Sequence, residues 1–341
     1  MAQESPAKFK VKGIHQVAIV VEDIQTVAEN YWNILGIGPW DIYEWEAPAV
    51  YDRKYYGKPA WAREKIAITQ VGAVQMELVQ PVEGDSVYQD ALDEHGEGLH
   101  HINFLVDNVV ELDKAAEIIA KEGFPTQQSG RIGIGEDKGG YNYIDIKPLH
   151  TIWEPVHEAG NLTAVGTRYP ATGQVSPAKI KVKGINQIAL VVKDLQRTVE
   201  NYWSILGIGP WEISMLEAPV IYNRTYYGKP AWAREKMGLA QAGGVQLELL
   251  EPVEGDSIYQ DYITEHGEGL HHLNFLVDDL DGTAEILAKE GFPTIQSGRA
   301  GAPEDPSGYN YIDIKPLHTI WEPVHQGKKG KGKGLEAIRY P

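Results

Sequence analysis

The feature that most restricts this chain is that it is written twice. Ser5-Pro6-Ala7-Lys8 returns 171 positions later as Ser176-Pro177-Ala178-Lys179. Tyr55-Tyr56-Gly57-Lys58-Pro59-Ala60-Trp61 returns as Tyr226-Tyr227-Gly228-Lys229-Pro230-Ala231-Trp232. The offset falls to 168 after a three-residue deletion near Asp279, where Trp153-Glu154-Pro155 meets Trp321-Glu322-Pro323. Solenoid repeats have periods of about 20 to 50 residues, so a period this long is a tandem domain duplication. With 341 residues, 43% of them hydrophobic, each half can bury a core. The expected organisation is a first domain over 1–160, a linker over 161–179 rich in Gly, Thr, Pro and Ala, and a second domain over 180–341. The second domain carries a basic glycine-rich run, 328–334, read as a flexible solvated segment.

Within the first half, local patterns alternate between strand and helix. Residues 14–21 are a β-branched run. Asp23 can cap a helix whose apolar positions Ile24, Val27, Ala28, Tyr31 and Leu35 keep helical spacing, with Gly36 to end it. Strands are expected near 40–45, 65–71 and 74–79, then a short helix from Asp85 or Ser86 to Gly96. A second unit opens at 98–104, continues with a helix over 110–121, and closes with strands near 125–129, 141–146 and 151–156. That is a βαβββ module twice per half, four in all, an α+β fold with curved mixed sheets.

Several of these apolar strands carry polar residues. His15 lies with Val17 and Ile19; Gln75 and Glu77 share one face of 74–79; His101 and Asn103 share one face of 98–104; Glu154 sits beside Ile152 and Val156. Each taken alone fits a solvated strand face. Together they place two carboxylates in sheets that should be buried, which is strongly unfavourable without a partner. One divalent cation held by His15, Glu77, His101 and Glu154 resolves the charge. The donor set accepts Zn, Ni, Co, Mn or Fe(II) alike. The absence of cysteine removes disulfides, thiolate nucleophiles and Cys-type metal sites. A net charge of −17 argues against a nucleic-acid surface. No apolar run has the length of a membrane span, and the N-terminus lacks a leader pattern. The expectation is a cytoplasmic monomer or homodimer acting on a small molecule, with no nucleic-acid or membrane partner.

The run Gly13-Ile14-His15-Gln16-Val17-Ala18, the segment Val74-Gln75-Met76-Glu77-Leu78 ahead of Pro81, Gly98-Leu99-His100-His101, and Thr151-Ile152-Trp153-Glu154 occur in an order and spacing that resembles the vicinal oxygen chelate superfamily. That superfamily contains glyoxalase I, methylmalonyl-CoA epimerases and extradiol dioxygenases. The resemblance covers nearly all of both halves and is nearest to the epimerases, whose metal ligands match His15, Glu77, His101 and Glu154. It implies paired βαβββ modules curved around the metal. The modules of one half pair together, or, in a swapped arrangement, His15 and Glu77 face His272 and Glu322.

The resemblance also bears on chemistry. The ring-cleaving members hold iron with two His and one carboxylate, and Glu77 occupies a position that is not a ligand in them. Its presence here resembles the non-redox branch, in which a Lewis-acidic cation stabilises an enolate and a carboxylate moves the proton. Glu154 is the first candidate base, with Glu77 at the metal and Glu64 as a second choice. The additional catalytic glutamate of some epimerases has no clean counterpart, since Ile66 falls near its place. The expected activity is an isomerase or epimerase (racemase) on a ketone, aromatic or not, or an acyl thioester. A glyoxalase-type lyase and an aromatic-ligand-binding resistance protein are the alternatives. Gln75, Asn103, Tyr51, Arg53, Tyr55 and Trp61 are the expected substrate contacts, and 130–135 reads as a glycine-rich lid. Of 11 histidines, only His15 has no histidine across the repeat. Asn186 stands there, so a second site of Asn186, Glu248, His272 and Glu322 is expected to be weaker.

Overall fold

In each half, short strands must bury both faces, and they do so by curling one sheet around its own interior. The computed structural model of the protein describes residues 4–133, 138–160, 164, 166–301, 303–304, 306–327 and 337–341. It divides into two units, one of 7–181 with 205–207, the other of 182–204 and 208–341 with the segment through Pro6. In the first half the elements are β1 (Gln16–Val20), α1 (Ile24–Leu35), β2 (Trp40–Trp45), β3 (Val50–Tyr55), β4 (Lys58–Pro59), β5 (Ala62–Val71), β6 (Val74–Gly84), α2 (Val87–His95), β7 (Gly98–Leu105), α3 (Val109–Lys121), β8 (Gln128–Ile132), β9 (Gly139–Ile146), β10 (Thr151–His157) and β11 (Gly166–Tyr169). Among the described residues no helix is long and apolar enough to cross a membrane.

The eleven strands form one mixed sheet in the order β11-β2-β5-β6-β1-β7-β10-β9-β8-β3-β4. At its centre β1 runs parallel to β6 and antiparallel to β7, so the two βαβββ modules of one half pair with each other. The second half builds a sheet of the same order from its own strands. Every residue of β1 is buried, as expected of a strand covered on both faces. On the outer face α1 buries Ile24, Val27, Ala28, Tyr31, Trp32 and Leu35. The Asp23 carboxylate accepts from Gln25 N and Thr26 N to start that helix, and Gly36 ends it in the left-handed conformation at φ 66°.

Two stretches differ from their sequence reading. The region 161–179 is not only linker, because β11 lies inside it and pairs with the edge of β2. Gly166 is what admits it, since a Cβ there would lie 2.8 Å from the Tyr43 ring. The aromatic hairpin β3–β4 leaves its own module and pairs with β8 at the far end of the sheet. Of the glycine-rich stretch read as a lid, residues through 132 form β8, while 134–137 lie outside the described residues; so does the basic run 328–334.

The hairpin closes the curve. Arg53 on β3 reaches Glu64 on β5, a strand near the opposite end of the sheet, through two hydrogen bonds, one of them 2.8 Å. Both residues are buried. Helix α2 holds the hairpin end of the sheet, since Tyr55 donates to Asp90 at 2.8 Å and the Gln128 amide oxygen accepts from Val87 N at 3.0 Å. Arg224–Glu235 and Tyr226–Asp261 repeat these links in the second half. A buried charge left without its partner costs about 3–5 kcal/mol, whereas exchanging the whole pair for apolar side chains is often neutral. Arg53→Met is therefore expected to destabilise the first unit by about 3–5 kcal/mol, and Arg53→Met/Glu64→Leu to recover most of the loss. Urea unfolding followed by tryptophan fluorescence measures both; a double variant as unstable as the single would contradict this role.

Candidate metal centre

Strand register places the polar residues in two adjoining rows on the concave face. Across β6, β1, β7 and β10 one row reads Glu77, Ala18, His101, Ile152, and the next reads Gln75, Gln16, Asn103, Glu154. Ala18 is the smallest side chain a chiral residue can place between Glu77 and His101, so their longer side chains can converge above it. In the second half the rows are Glu248, Ala189, His272, Ile320 and Gln246, Gln187, Asn274, Glu322.

His101 is the centre of the group. It is fully buried, and its Nε2 lies 3.3 Å from Glu77 Oε2 and 3.3 Å from Glu154 Oε2. In the second half His272 Nε2 lies 3.2 Å from Glu248 and 3.4 Å from Glu322. These are not hydrogen-bond geometries: His101 Nε2, Glu77 Oε2, His272 Nε2 and Glu248 Oε2 are all buried without a hydrogen-bond partner. Atoms that face a common point instead of one another are what a cation requires. Donors about 2.0–2.2 Å from one ion stand about 2.8–3.6 Å apart, which is the spacing found. The residues fit a divalent metal ion, and two carboxylates with neutral imidazole and amide donors balance its charge.

Further groups hold these atoms in place. Asn103 Nδ2 donates to Glu154 Oε2 at 3.2 Å and to Gln16 Oε1 at 2.9 Å, while Gln16 Nε2 donates to Gln75 at 2.7 Å. Against the other side of His101 packs the Tyr143 ring, edge-on at 4.9 Å, and Tyr143 is hydrogen-bonded to Tyr88. His100 also turns inward. In the β1–β7 ladder Ala18 pairs with His101 but Ile19 pairs with Leu99, leaving His100 as the extra residue of a β-bulge. Its Nδ1 lies 2.8 Å from His101 Nδ1.

The electrostatics follow from burial. Desolvation alone would make His101 neutral, but the Glu154 and Glu77 carboxylates outweigh it and push its pKa up to about 9. Burial raises Glu77, only partly offset by His101. His100, buried beside His101, is held well below the ordinary histidine value. Burial raises the Tyr88 and Tyr143 hydroxyls, so both stay protonated.

The structure brings Glu77, His101 and Glu154 together but leaves His15 apart. His15 stands one residue ahead of β1, with its Nε2 3.3 Å from Glu158, and the side chain in register within the row is Gln16. The asymmetry expected from His15 and Asn186 is therefore absent from the rows, which hold Gln16 in one half and Gln187 in the other. Asn186 borders the second group, donating to Asn274 at 3.4 Å. Among the described residues, Glu248, His272 and Glu322 form the one set of His and acidic ligand atoms lying mutually within 4.8 Å. In both halves the histidine nitrogen stands 3.2–3.4 Å from its two carboxylates.

Glu64 is not free to act as a base, because Arg53 engages both its oxygens. Arg53 and Tyr55 are likewise committed, to Glu64 and Asp90. Tyr51 has a buried hydroxyl without a partner, and Trp61 is half exposed. Sequence reading missed Gln16, His100, Tyr88, Tyr141 and Tyr143. A signal for Gln16 was present, since a glutamine repeats at that position where the preceding histidine does not.

A pH dependence follows. The folded pKa of His101 lies above its unfolded value of about 6.5, so in the metal-free protein its ion pairs contribute fully below that pH and are lost as pH rises through about 9. A cation must displace the same proton. Affinity for Zn²⁺ is expected to rise with pH over this window, with protons released on binding. Titration calorimetry in buffers of different ionisation enthalpy measures this, and pH-independent affinity would contradict it.

Comparisons with known proteins agree with this architecture. The family model of the Glyoxalase/Bleomycin resistance protein/Dioxygenase superfamily matches residues 15–143 and again 186–309. The uncharacterized protein YqjC of Bacillus subtilis (strain 168) is 40% identical over 80 residues, 23% of this chain and 54% of that one, so the match spans about half of that relative. Among solved structures, a mutant of 4-hydroxymandelate synthase from Streptomyces coelicolor aligns over 95% of each chain with a TM-score of 0.61 at 15% identity. A fusion of a xylose isomerase-like TIM barrel with 4-hydroxyphenylpyruvate dioxygenase aligns over 97% of this chain and 51% of that one, with a TM-score of 0.54 at 13% identity. At these identities the likeness is one of fold. Matched by one family model in both halves, the chain belongs to the Glyoxalase/Bleomycin resistance protein/Dioxygenase superfamily.

Proposed function

We propose that this protein is a divalent-metal-dependent isomerase or epimerase that moves a proton on a carbon next to a carbonyl, with a site in each half. The observation that carries the reading is the buried meeting of one imidazole nitrogen with two carboxylates, at 3.3 Å in one half and 3.2 and 3.4 Å in the other, with the imidazole Nε2 and one carboxylate oxygen, Glu77 or Glu248 Oε2, left without a hydrogen-bond partner. Glu77, His101 and Glu154 would hold the ion, with the amide oxygen of Gln16 as the neutral fourth donor; Glu248, His272, Glu322 and Gln187 would do so in the second half. This set has one imidazole and two carboxylates. The facial triad of iron oxygenases has two imidazoles and one carboxylate, and His15, which would have completed it, lies apart from the group.

Bound there, a divalent cation supplies Lewis-acid stabilisation of negative charge on the substrate oxygens. The protein's own part is proton transfer in a site shielded from water. Glu154 takes the proton from carbon, and Asn103, donating to Glu154 Oε2, fixes the carboxylate's orientation. Glu77 balances charge on the other side of His101. Tyr88, Tyr141 and Tyr143 line the interior with buried rings, a surface suited to a flat or aromatic carbonyl compound.

In D₂O, the purified protein is expected to exchange deuterium into the carbon beside a carbonyl for at least one member of a panel of aryl ketones, 2-oxo acids and acyl thioesters. Chelation should abolish the exchange. Glu154→Gln/Glu322→Gln should lower it by about 10²–10⁴-fold, with the single variants apportioning it between halves. Turnover of glutathione hemithioacetals instead would make it a glyoxalase-type lyase. Tight binding of aromatic ligands with no exchange and no stoichiometric metal would make it a binding protein of the same fold.

A further inference from the structure

We infer that His100 and His271 are positioning residues that fix the tautomer of the neighbouring His101 and His272, so that each presents a bare Nε2 to a metal ion. The inference rests on the metal reading above and extends it to a residue pair that touches no ligand atom of the cation.

Consecutive residues of a regular strand point to opposite faces, so His100 and His101 should not meet. The bulge in β7 removes that constraint. With Ala18 opposite His101 and Ile19 opposite Leu99, His100 is unpaired in the ladder, and its ring swings to the interior. The second half repeats the irregularity, with Ala189 opposite His272, Leu190 opposite Leu270, and His271 left over. The outcome is the same in both: the Nδ1 atoms of the two rings lie 2.8 Å apart in the first half and 2.9 Å in the second, with ring planes near perpendicular at 87°.

Two ring nitrogens at that distance share one proton, because two lone pairs or two N–H groups would repel. Which ring owns it depends on what the far nitrogen of His101 faces. That nitrogen, Nε2, is turned to Glu77 and Glu154. A cation between them needs its lone pair, and a neutral imidazole with a bare Nε2 carries its proton on Nδ1. His101 Nδ1–H then donates, and His100 Nδ1 accepts. Both His100 and His271 are buried; His100 also meets the backbone of Val87, and in each half the hydrogen bond between the two rings runs through their Nδ1 atoms. A metal-bound histidine usually gives its second N–H to a carboxylate or carbonyl, and loss of such a partner costs about 10–100-fold in metal affinity. Here the partner is a second histidine, placed by one extra residue in a strand.

The test is Zn²⁺ binding to the full, metal-stripped chain by competition calorimetry, with His100→Phe, His271→Phe and His100→Gln. Phenylalanine keeps a ring in the bulge but cannot accept; glutamine restores an acceptor oxygen. Wild type is expected to take two ions per chain. Each Phe variant should lose about 10–100-fold at one of the two sites, and His100→Gln should regain most of it. Long-range ¹⁵N–¹H spectra of zinc-loaded wild type should report His101 and His272 protonated at Nδ1. Thermal unfolding of the stripped Phe and Gln variants separates simple loss of packing, which would affect both alike. The inference is overturned if His100→Phe binds zinc as wild type does, if His100→Gln binds as poorly as His100→Phe, or if His101 carries its proton on Nε2. Wild type that takes no zinc would instead sink the metal reading itself, and this inference with it.

Discussion

Two carboxylates buried on the inner face of each sheet set the terms for everything around them. An ionised carboxylate out of water costs several kcal/mol unless it is paired and hydrogen-bonded. Glu77 and Glu154 share a single histidine, whose pKa they raise to about 9. That pairing is incomplete, since one positive imidazolium faces two negative groups. The protein retains this arrangement twice, at the same register and with closely similar distances. A divalent ion is the simplest charge that completes it.

Holding such a group requires a sheet that curls far enough to enclose it. The curl is fixed at the far ends, where the hairpin β3–β4 crosses from the first module to the edge of the second. Arg53–Glu64 and Arg224–Glu235 lock the crossing. The same crossing commits the Arg53 Nη atoms and both Glu64 oxygens to each other, and the Tyr55 hydroxyl to Asp90. Helix α2 contributes Tyr88 to the interior, against Tyr143 and the two histidines. The aromatic content that suggested a substrate wall is thus divided. Tyr88, Tyr141 and Tyr143 are inside, while Tyr56 and Trp61 face solvent.

Much of this was legible from local pattern. Helical spacing and caps placed α1, α2 and α3 nearly to the residue, and alternation in apolar runs identified the faces of β6, β7 and β10 that carry Glu77, His101 and Glu154. Where alternation breaks, sequence reading failed. His15 precedes the strand in which it was expected, and His100 sits in a bulge, a backbone irregularity that no periodicity marks. A glutamine between a histidine and a valine has no local signature of function; its one mark along the chain is that it repeats as Gln187, and pairing with Gln75 and Asn103 is what gives that repeat its meaning.

The sequence by itself determined that the chain is duplicated, that each half is two βαβββ modules, and that an imidazole and two carboxylates sit in buried strands. These are properties of repeats and of side-chain period, and both are written along the chain. Tertiary structure alone decided that modules pair within a half, that the hairpin changes partners, that glutamine and not His15 lies in the row, and that both halves keep the same group. Those outcomes depend on register between strands far apart in sequence. One bulged residue moves a side chain from one face to the other, and the energy that fixes it comes from contacts that exist only once the sheet has closed.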